Sequence, residues 1–212
     1  MKHLYLFSGL GADHRVFQFL NLEGFQVTYI QWLKPVARES MQQYAARLTE
    51  QIITVKPVLV GLSFGGMMAM EVAKHIETEK IILISSAKTR KEIPPYFRFA
   101  GKLKLNRIVA SRRMKKPNAL AYKIMGAENA EAKILMKSIL EDTDTDFFKW
   151  AIEQVVIWNN KTVHKNVVHI HGQKDRLLPH RFVKSDITIA DGTHLMTISN
   201  ANEISDIIRK LV

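Results

Sequence analysis

The sequence of 212 residues contains no cysteine. This absence excludes disulfide bonds, a cysteine nucleophile and metal sites built on thiolates. It fits a reducing compartment, and we expect a cytoplasmic protein. A chain of this length buries enough surface to fold without disulfide bonds or a bound metal. Its length also predicts a single domain.

Long hydrophobic runs are missing as well. No apolar stretch approaches the roughly 18 residues that a helix needs to cross a bilayer. The apolar run Leu4–Phe7 ends at Ser8. That run is well short of the roughly 7–15 apolar residues of a signal peptide. We therefore interpret it as a buried strand and expect no transmembrane segment.

Negative charge is scarce in one segment of the chain. The formal net charge is +11, and residues 88–116 hold eleven basic residues but a single acid, Glu92. This segment therefore carries +10, and the rest of the chain is nearly neutral. A protein that is basic throughout would suggest a nucleic-acid partner. Because the charge is local here, no nucleic-acid partner is expected.

Short, β-branched apolar runs alternate with helical patterns along the chain. Such alternation is typical of a parallel sheet that helices cover on both faces. We predict an α/β fold with a doubly wound, mainly parallel sheet of about six strands. The predicted strands are Leu4–Phe7, Val27–Gln31, Val58–Leu62, Ile81–Ser85, Val167–Ile170 and Ile187–Ala190. The predicted helices between and after them include Ser40–Val55, Gly66–His75 and Asn202–Leu211.

The alternation stops between the fourth and fifth predicted strands. This stretch contains only helical patterns, of which Phe147–Trp158 is the clearest because its apolar residues share one face. We predict a helical insertion over residues 88–159 and a core formed by residues 1–87 and 160–212. The basic segment begins this insertion.

The strongest chemical motif is Gly61-Leu62-Ser63-Phe64-Gly65-Gly66, between a predicted strand and a predicted helix. A serine at a sharp strand-to-helix turn exposes its hydroxyl, and small neighbours permit the strained backbone. We therefore predict that Ser63 is a nucleophile. The alternative is a glycine-rich turn that serves packing alone.

A serine nucleophile needs a base, and the base needs a carboxylate. His194 follows the last predicted strand and Asp175 follows the fifth, so both should reach the same sheet edge as Ser63. We predict them as base and acid. Asp186 begins a strand and belongs at the opposite edge, whereas Asp191 is expected to serve its turn.

The negative charge that develops during attack on a carbonyl needs backbone N–H donors. One donor should be Phe64, directly after the serine. The other should be Leu10, in the loop Ser8-Gly9-Leu10-Gly11 after the first strand. A flexible turn without this role is the alternative for the loop.

At these residues the chain resembles the α/β-hydrolase superfamily, as a small serine hydrolase with a lid. GLSFGG, HGQKD and DGTHL match the three catalytic segments of the family in their order. The family usually has His-Gly where this chain has Ser8-Gly9. The sequence begins at the strand that looks like the family's third, which implies a minimal core. The insertion looks like the family's helical lid.

The resemblance implies a serine hydrolase that cleaves a small-molecule ester or thioester through an acyl-enzyme, with no cofactor and no metal. The basic insertion suggests an anionic substrate. His169 and His171 share a strand face, but they have no third metal ligand beside them, so packing or hydrogen bonding is expected. Alternatives are an acyl transferase, a C–C hydrolase or lyase, a binding protein, and a protein that binds anionic membranes or nucleic acid.

Overall fold

Six strands form one sheet in the computed structural model, which describes residues 1–102 and 117–212. The sheet order is β2-β1-β3-β4-β5-β6, and every neighbouring pair is parallel. The predicted α/β fold with a doubly wound parallel sheet is therefore confirmed. The strands are β1 His3–Phe7, β2 Gln26–Tyr29, β3 Val58–Leu62, β4 Lys80–Ile84, β5 Val167–Gly172 and β6 Ile187–Ile189.

Eight α-helices lie in the described parts of the chain. Several begin at side chains that accept a hydrogen bond from the first turn, such as Ser40, Asn129 and Asp144. The helices are α1 Met41–Leu48, α2 Phe64–Val72, α3 Pro95–Lys102, α4 Ala119–Met125, α5 Ala130–Asp142, α6 Thr145–Ile157, α7 Met196–Ser199 and α8 Ala201–Leu211. In the described residues, no helix combines the length and apolarity needed to span a membrane.

The sheet is buried on both faces. Tyr5 and Phe7 of β1 pack into a core with α1, α2 and α6, whereas Leu4 and Leu6 point into a second core with α8. Successive strand side chains point to opposite faces, so a strand covered on both sides must be apolar throughout. This explains the continuous apolar runs in the sequence.

Several element boundaries differ from the predicted ones. The predicted helix Ser40–Val55 ends as an α-helix at Leu48 and continues as a short 3₁₀ turn, Thr49–Gln51. Ile52 then adopts an extended conformation, which stops the helix. The β2 strand ends at Tyr29, because the backbone of Gln31 pairs with the side chain of Gln51 instead of a neighbouring strand.

Four helices, α3 to α6, lie between β4 and β5 in the described residues. The division into a core and an insertion over residues 88–159 remains a prediction. The basic residues Arg112, Arg113, Lys115 and Lys116 lie outside the described residues.

The strand order reverses beside β1, because β2 lies on one side of it and β3 on the other. In open α/β sheets, ligands bind beyond the carboxyl ends of the strands at such a switch point. Ser8 and Gly9 follow β1 there, and Ser63 follows β3. The topology thus places the predicted nucleophile and the predicted oxyanion loop together.

Candidate active site

Ser63 occupies a strained turn between β3 and α2. Its backbone has φ 53° and ψ −119°, a positive φ that few residues other than glycine adopt. Ser63 stands at the N-cap position of α2, but its side chain makes no capping hydrogen bond. The hydroxyl is therefore free to interact outside the helix.

The glycines around Ser63 allow α2 to approach the sheet closely. A Cβ atom on Gly65 would overlap the carbonyl oxygens of Phe7 and Ser8, at the end of β1. A Cβ atom on Gly61 would meet the backbone of Gly65 at 2.5 Å. The motif is thus required by backbone packing, and this packing also places the Ser63 turn against the loop after β1.

Ser63, His194 and Asp175 form a hydrogen-bonded chain. The Oγ atom of Ser63 lies 2.8 Å from Nε2 of His194, and Nδ1 of His194 lies 2.8 Å from Oδ2 of Asp175. An ionised carboxylate can only accept, so Nδ1 carries the proton and Nε2 is left to accept from the serine hydroxyl. The arrangement can take a proton from Ser63 and stabilise the resulting imidazolium.

Asp175 is held in its ionised form. Burial opposes ionisation, but the neighbouring His194 and the N–H of Leu178 outweigh it, so the pKa of Asp175 lies below its ordinary value. The Oδ1 atom accepts N–H groups from Leu177 at 2.9 Å and Leu178 at 2.8 Å. Its other oxygen therefore remains available to His194.

The two rival carboxylates have other partners. Asp186 accepts the N–H of His169 at 2.8 Å and pairs with Lys88 at 3.3 Å. Asp191 is exposed and pairs with Lys174, which lowers the pKa of Asp191. Neither carboxylate is hydrogen-bonded to His194 as Asp175 is.

The loops after β5 and β6 meet at two glycines. The N–H of Lys174 donates to the carbonyl of Gly192 at 2.9 Å, and a Cβ atom on Gly172 would overlap that same carbonyl. These loops carry Asp175 and His194. Their close approach depends on the missing side chain of Gly172 and brings Asp175 and His194 together.

We expect Gly172→Ala to destabilise the protein and to separate the two loops. The new methyl group meets backbone atoms that cannot rotate away, and such overpacking costs about 2 kcal/mol or more in the free energy of unfolding. For a chain of this size, the Tm measured by calorimetry should fall by about 5 °C or more. Gly9→Ala is the matched control, because its Cβ atom would lie at an ordinary 3.6 Å from that of Ser63. If both variants melt at the same temperature, the glycine contact does not limit the packing.

The loop after β1 forms a tight turn beside Ser63. The N–H of Ala12 donates to the carbonyl of Gly9 at 3.1 Å, and Gly11 has a φ of 69°. The N–H of Leu10 takes no part in this turn hydrogen bond. The N–H of Phe64 belongs to the first turn of α2, where no carbonyl of the helix can accept it. The roles of both amides as oxyanion donors remain predictions.

Ser8, which stands where the family usually has histidine, holds this loop in place. Its hydroxyl donates to the carbonyl of Ala12 at 2.8 Å and accepts from the indole N–H of Trp32 at 2.8 Å. The loop is thus tied to itself and to the segment after β2.

Helices α5 and α6 contact the same loops. The rings of Phe147 and Phe64 lie 6.2 Å apart between centroids. A Cβ atom on Gly11 would meet Phe148 at 2.8 Å and Leu140 at 2.9 Å. Helices α5 and α6 therefore pack over the carboxyl edge of the sheet near Ser63.

Sequence reasoning did not identify two further contributors to the site. The hydroxyl of Ser86, after β4, donates to the carbonyl of Ser63 at 2.6 Å. His171, in β5, lies 3.6 Å from Asp175. The sequence places His171 four residues before Asp175, but only the structure shows that the His171 ring faces Asp175.

A cavity of about 390 Å³ adjoins the loop that carries His194. Thr193 and Leu195, on either side of His194, line it together with Asn129 at the start of α5. Ser63 is not among its lining residues, so this cavity lies beside His194 and not at the Ser63 hydroxyl.

Comparison with known proteins identifies the fold. No protein-family model and no curated protein matches the sequence. Solved structures do match over nearly the whole chain. An esterase from Thermogutta terrifontis is 18% identical, with a TM-score of 0.74 over 99% of this chain and 89% of its own. An esterase from Exiguobacterium antarcticum is 16% identical, with a TM-score of 0.72 over 99% and 91% of the two chains.

The chain has the α/β-hydrolase fold. A hydrolase from Oleispira antarctica, 14% identical, superposes equally well, with a TM-score of 0.74 over 99% of this chain and 90% of its own. The resemblance found in the sequence is thereby confirmed for the α/β-hydrolase fold. At these identities the likeness concerns the fold alone.

Proposed function

We propose that this protein is a serine hydrolase that cleaves a carboxylic ester or thioester. The observation that carries the proposal is the chain of 2.8 Å contacts from Ser63 through His194 to Asp175, at the switch point of the sheet. Two of the similar structures are esterases, which supports the same reaction class.

In the proposed reaction, Ser63 Oγ attacks the carbonyl carbon of the substrate while its proton passes to Nε2 of His194. Asp175 stabilises the imidazolium that results. The tetrahedral intermediate collapses, the carbon–oxygen or carbon–sulfur bond breaks, and the leaving group takes the proton from His194. Water then attacks the acyl-serine and gives a proton to His194. His194 returns this proton to Ser63 Oγ as the bond between Oγ and the acyl carbon breaks, which releases the carboxylic acid and restores Ser63.

Two elements would support this chemistry. The N–H groups of Leu10 and Phe64 would stabilise the oxyanion, because both lie in turns that leave them unpaired by the local backbone. The helices of residues 88–159 would act as a lid. The contacts of Phe147 with Phe64, and of Phe148 with the Gly11 turn, favour this role.

The direct test is labelling with a fluorophosphonate, followed by mass spectrometry of the peptides. We expect a single adduct on Ser63 and turnover of at least one member of a panel of nitrophenyl esters and acyl thioesters. An adduct confined to another serine would contradict the proposed nucleophile. Rapid labelling of Ser63 without net hydrolysis, but with transfer of the acyl group from an ester or thioester of the panel to an added alcohol or thiol, would favour the transferase alternative.

We further propose that the basic segment selects anionic substrates. Its acid, Glu92, is buried and accepts the N–H groups of Lys88 and Lys184, so it offers no exposed negative charge. Lys88 and Arg90 are engaged with Asp186 and the carbonyl of Trp158. Lys88 is paired with a carboxylate, whereas Arg90 keeps its charge because its partner is an uncharged carbonyl. The steering charge therefore comes from Arg90 and the remaining basic residues of the segment. A cluster of one sign raises the local concentration of opposite charge.

This proposal predicts different salt responses for two esters with the same acyl chain. Charge interactions across solvent are screened over about 10 Å at 0.1 M salt. The kcat/KM of an ester with an anionic leaving group should therefore fall as salt rises, while that of a neutral ester should stay nearly constant. Initial rates between 0.02 and 0.5 M sodium chloride, values that bracket the screening range, measure this.

The variant that tests the location of the charge replaces Arg112, Arg113, Lys115 and Lys116 by glutamine. It should flatten the salt response of the anionic ester. The matched control removes four exposed lysines outside the segment, Lys149, Lys161, Lys165 and Lys210. It should retain that response, although its net charge falls by the same amount. If kcat/KM depends on salt in the same way for both esters in the unmodified protein, the basic segment does not select the substrate.

A further inference from the structure

His171 is buried in β5 beside the turn that carries Asp175. Its Nε2 atom lies 2.8 Å from the carbonyl oxygen of Leu178 and 3.6 Å from Oδ2 of Asp175. A carbonyl oxygen can only accept, so Nε2 of His171 must carry a proton and donate it to Leu178.

Leu178 connects this ring to the acid. Its carbonyl accepts from His171, while its N–H donates to Oδ1 of Asp175 at 2.8 Å. Burial lowers the pKa of His171 against the opposing effect of the Asp175 charge. The ring is therefore neutral at neutral pH, and its single N–H is committed to the Leu178 carbonyl.

We propose that His171 is a positioning residue: it fixes the turn 175–178, so that Asp175 presents one oxygen to His194. The inference deepens the proposed function and rests on it. His171 would not touch the substrate. It would act through Leu178 and Asp175 on the orientation of the His194 ring.

The other side of the His171 ring faces His169. Nδ1 of His171 lies 3.3 Å from Nε2 of His169, which in turn lies 3.3 Å from the backbone nitrogen of Ser86. The Ser86 hydroxyl donates to the Ser63 carbonyl. Because Nδ1 of His171 can only accept, Nε2 of His169 can make one of these two hydrogen bonds at a time: it donates to His171 or it accepts from Ser86. The His169 ring packs edge-on against His171 in either case, with 5.2 Å between the ring centroids.

The competing explanation is a histidine that merely fills the core. The two explanations differ in what a substitution changes. Loss of a core-filling residue lowers the Tm, and an apolar residue of similar size largely compensates. Loss of a positioning residue leaves the carbonyl of Leu178 unpaired and loosens the Asp175 turn, so turnover should fall even where the Tm does not.

Three variants separate these explanations. His171→Leu removes the donor and keeps much of the volume. His171→Gln keeps an N–H donor at about the distance of Nε2, so it is the conservative replacement. If the leucine variant does not fold, His171→Asn takes its place, since its shorter amide cannot reach Leu178. His75→Gln is the control, because His75 is exposed and lies outside the site.

Two readouts are measured on the full-length protein. The first is kcat and KM with the best ester of the panel. We expect His171→Leu to lower kcat about tenfold, the factor that corresponds to one lost hydrogen bond to a buried group, and to leave KM within about twofold. His171→Gln should recover most of kcat, and His75→Gln should match the unmodified protein.

The second readout is the proton resonance of the His194 Nδ1–H group in the free protein, assigned by its loss in Asp175→Asn. We expect it to persist in His171→Gln and to shift or broaden in His171→Leu. An unchanged resonance and unchanged kcat in the leucine variant would overturn the proposal, as would a glutamine variant as impaired as leucine. The His194 resonance could change in the variants as expected while no ester is turned over. That result would support the positioning role of His171 and contradict the proposed function.

Discussion

Ser63→Ala should abolish ester turnover and fluorophosphonate labelling while leaving the fold intact. The substitution removes only the Oγ atom, which makes no capping bond to α2 and contacts His194 at 2.8 Å. Removing the nucleophile of a serine triad lowers kcat by a factor on the order of 10⁶. The measurements are the initial rate with the best nitrophenyl ester and gel detection of the fluorescent label.

The alanine variant needs a control for the strained backbone at this turn. Alanine and serine are similarly strained at a φ of 53°, so the substitution should change the free energy of unfolding little. Ser86→Ala is the comparison, because it removes a nearby hydroxyl that donates to the Ser63 carbonyl. It should retain labelling at Ser63. Undiminished turnover in Ser63→Ala would place the nucleophile elsewhere.

The sheet and the order of its elements could be predicted from local pattern. Residues such as Leu4 to Phe7 are apolar without interruption, which only a strand covered on both faces requires. The predicted meeting of Ser63, Asp175 and His194 followed from one rule, that loops after parallel strands gather at one edge. The structure brings these three together by hydrogen bonds, and their catalytic roles remain predictions.

The contacts that support the site could not be predicted, because they depend on how elements distant in the chain are packed. Nothing in the sequence indicates that Ser86 reaches the carbonyl of Ser63. The direction in which His171 turns depends on the Leu178 carbonyl, whose position depends on the turn after Asp175. The early end of α1 at Leu48 likewise depends on the extended backbone at Ile52.

Asp175→Asn should lower kcat by roughly 10⁴-fold, the loss known for the equivalent change in a serine protease triad. Asp175 accepts the Nδ1–H of His194 and two backbone N–H groups. An asparagine that keeps its carbonyl oxygen toward the two backbone N–H groups must turn its NH₂ group toward His194. The His194 ring then carries its proton on Nε2 instead of Nδ1, so Nε2 can no longer accept the proton of Ser63. Steady-state kinetics with the Tm as a check on folding measures the effect.

Asp191→Asn is the matched control for this prediction. It makes the same chemical change three residues before His194, but Asp191 is exposed and pairs with Lys174. An exposed ion pair is weak and screened by salt, so kcat should change by less than about fivefold. A large loss in Asp191→Asn together with a small loss in Asp175→Asn would assign the acid to the loop before the base. The burial of Asp175, its lowered pKa and its three hydrogen bonds all favour the opposite result, because only a fixed, ionised carboxylate can hold His194 in the tautomer that accepts from Ser63.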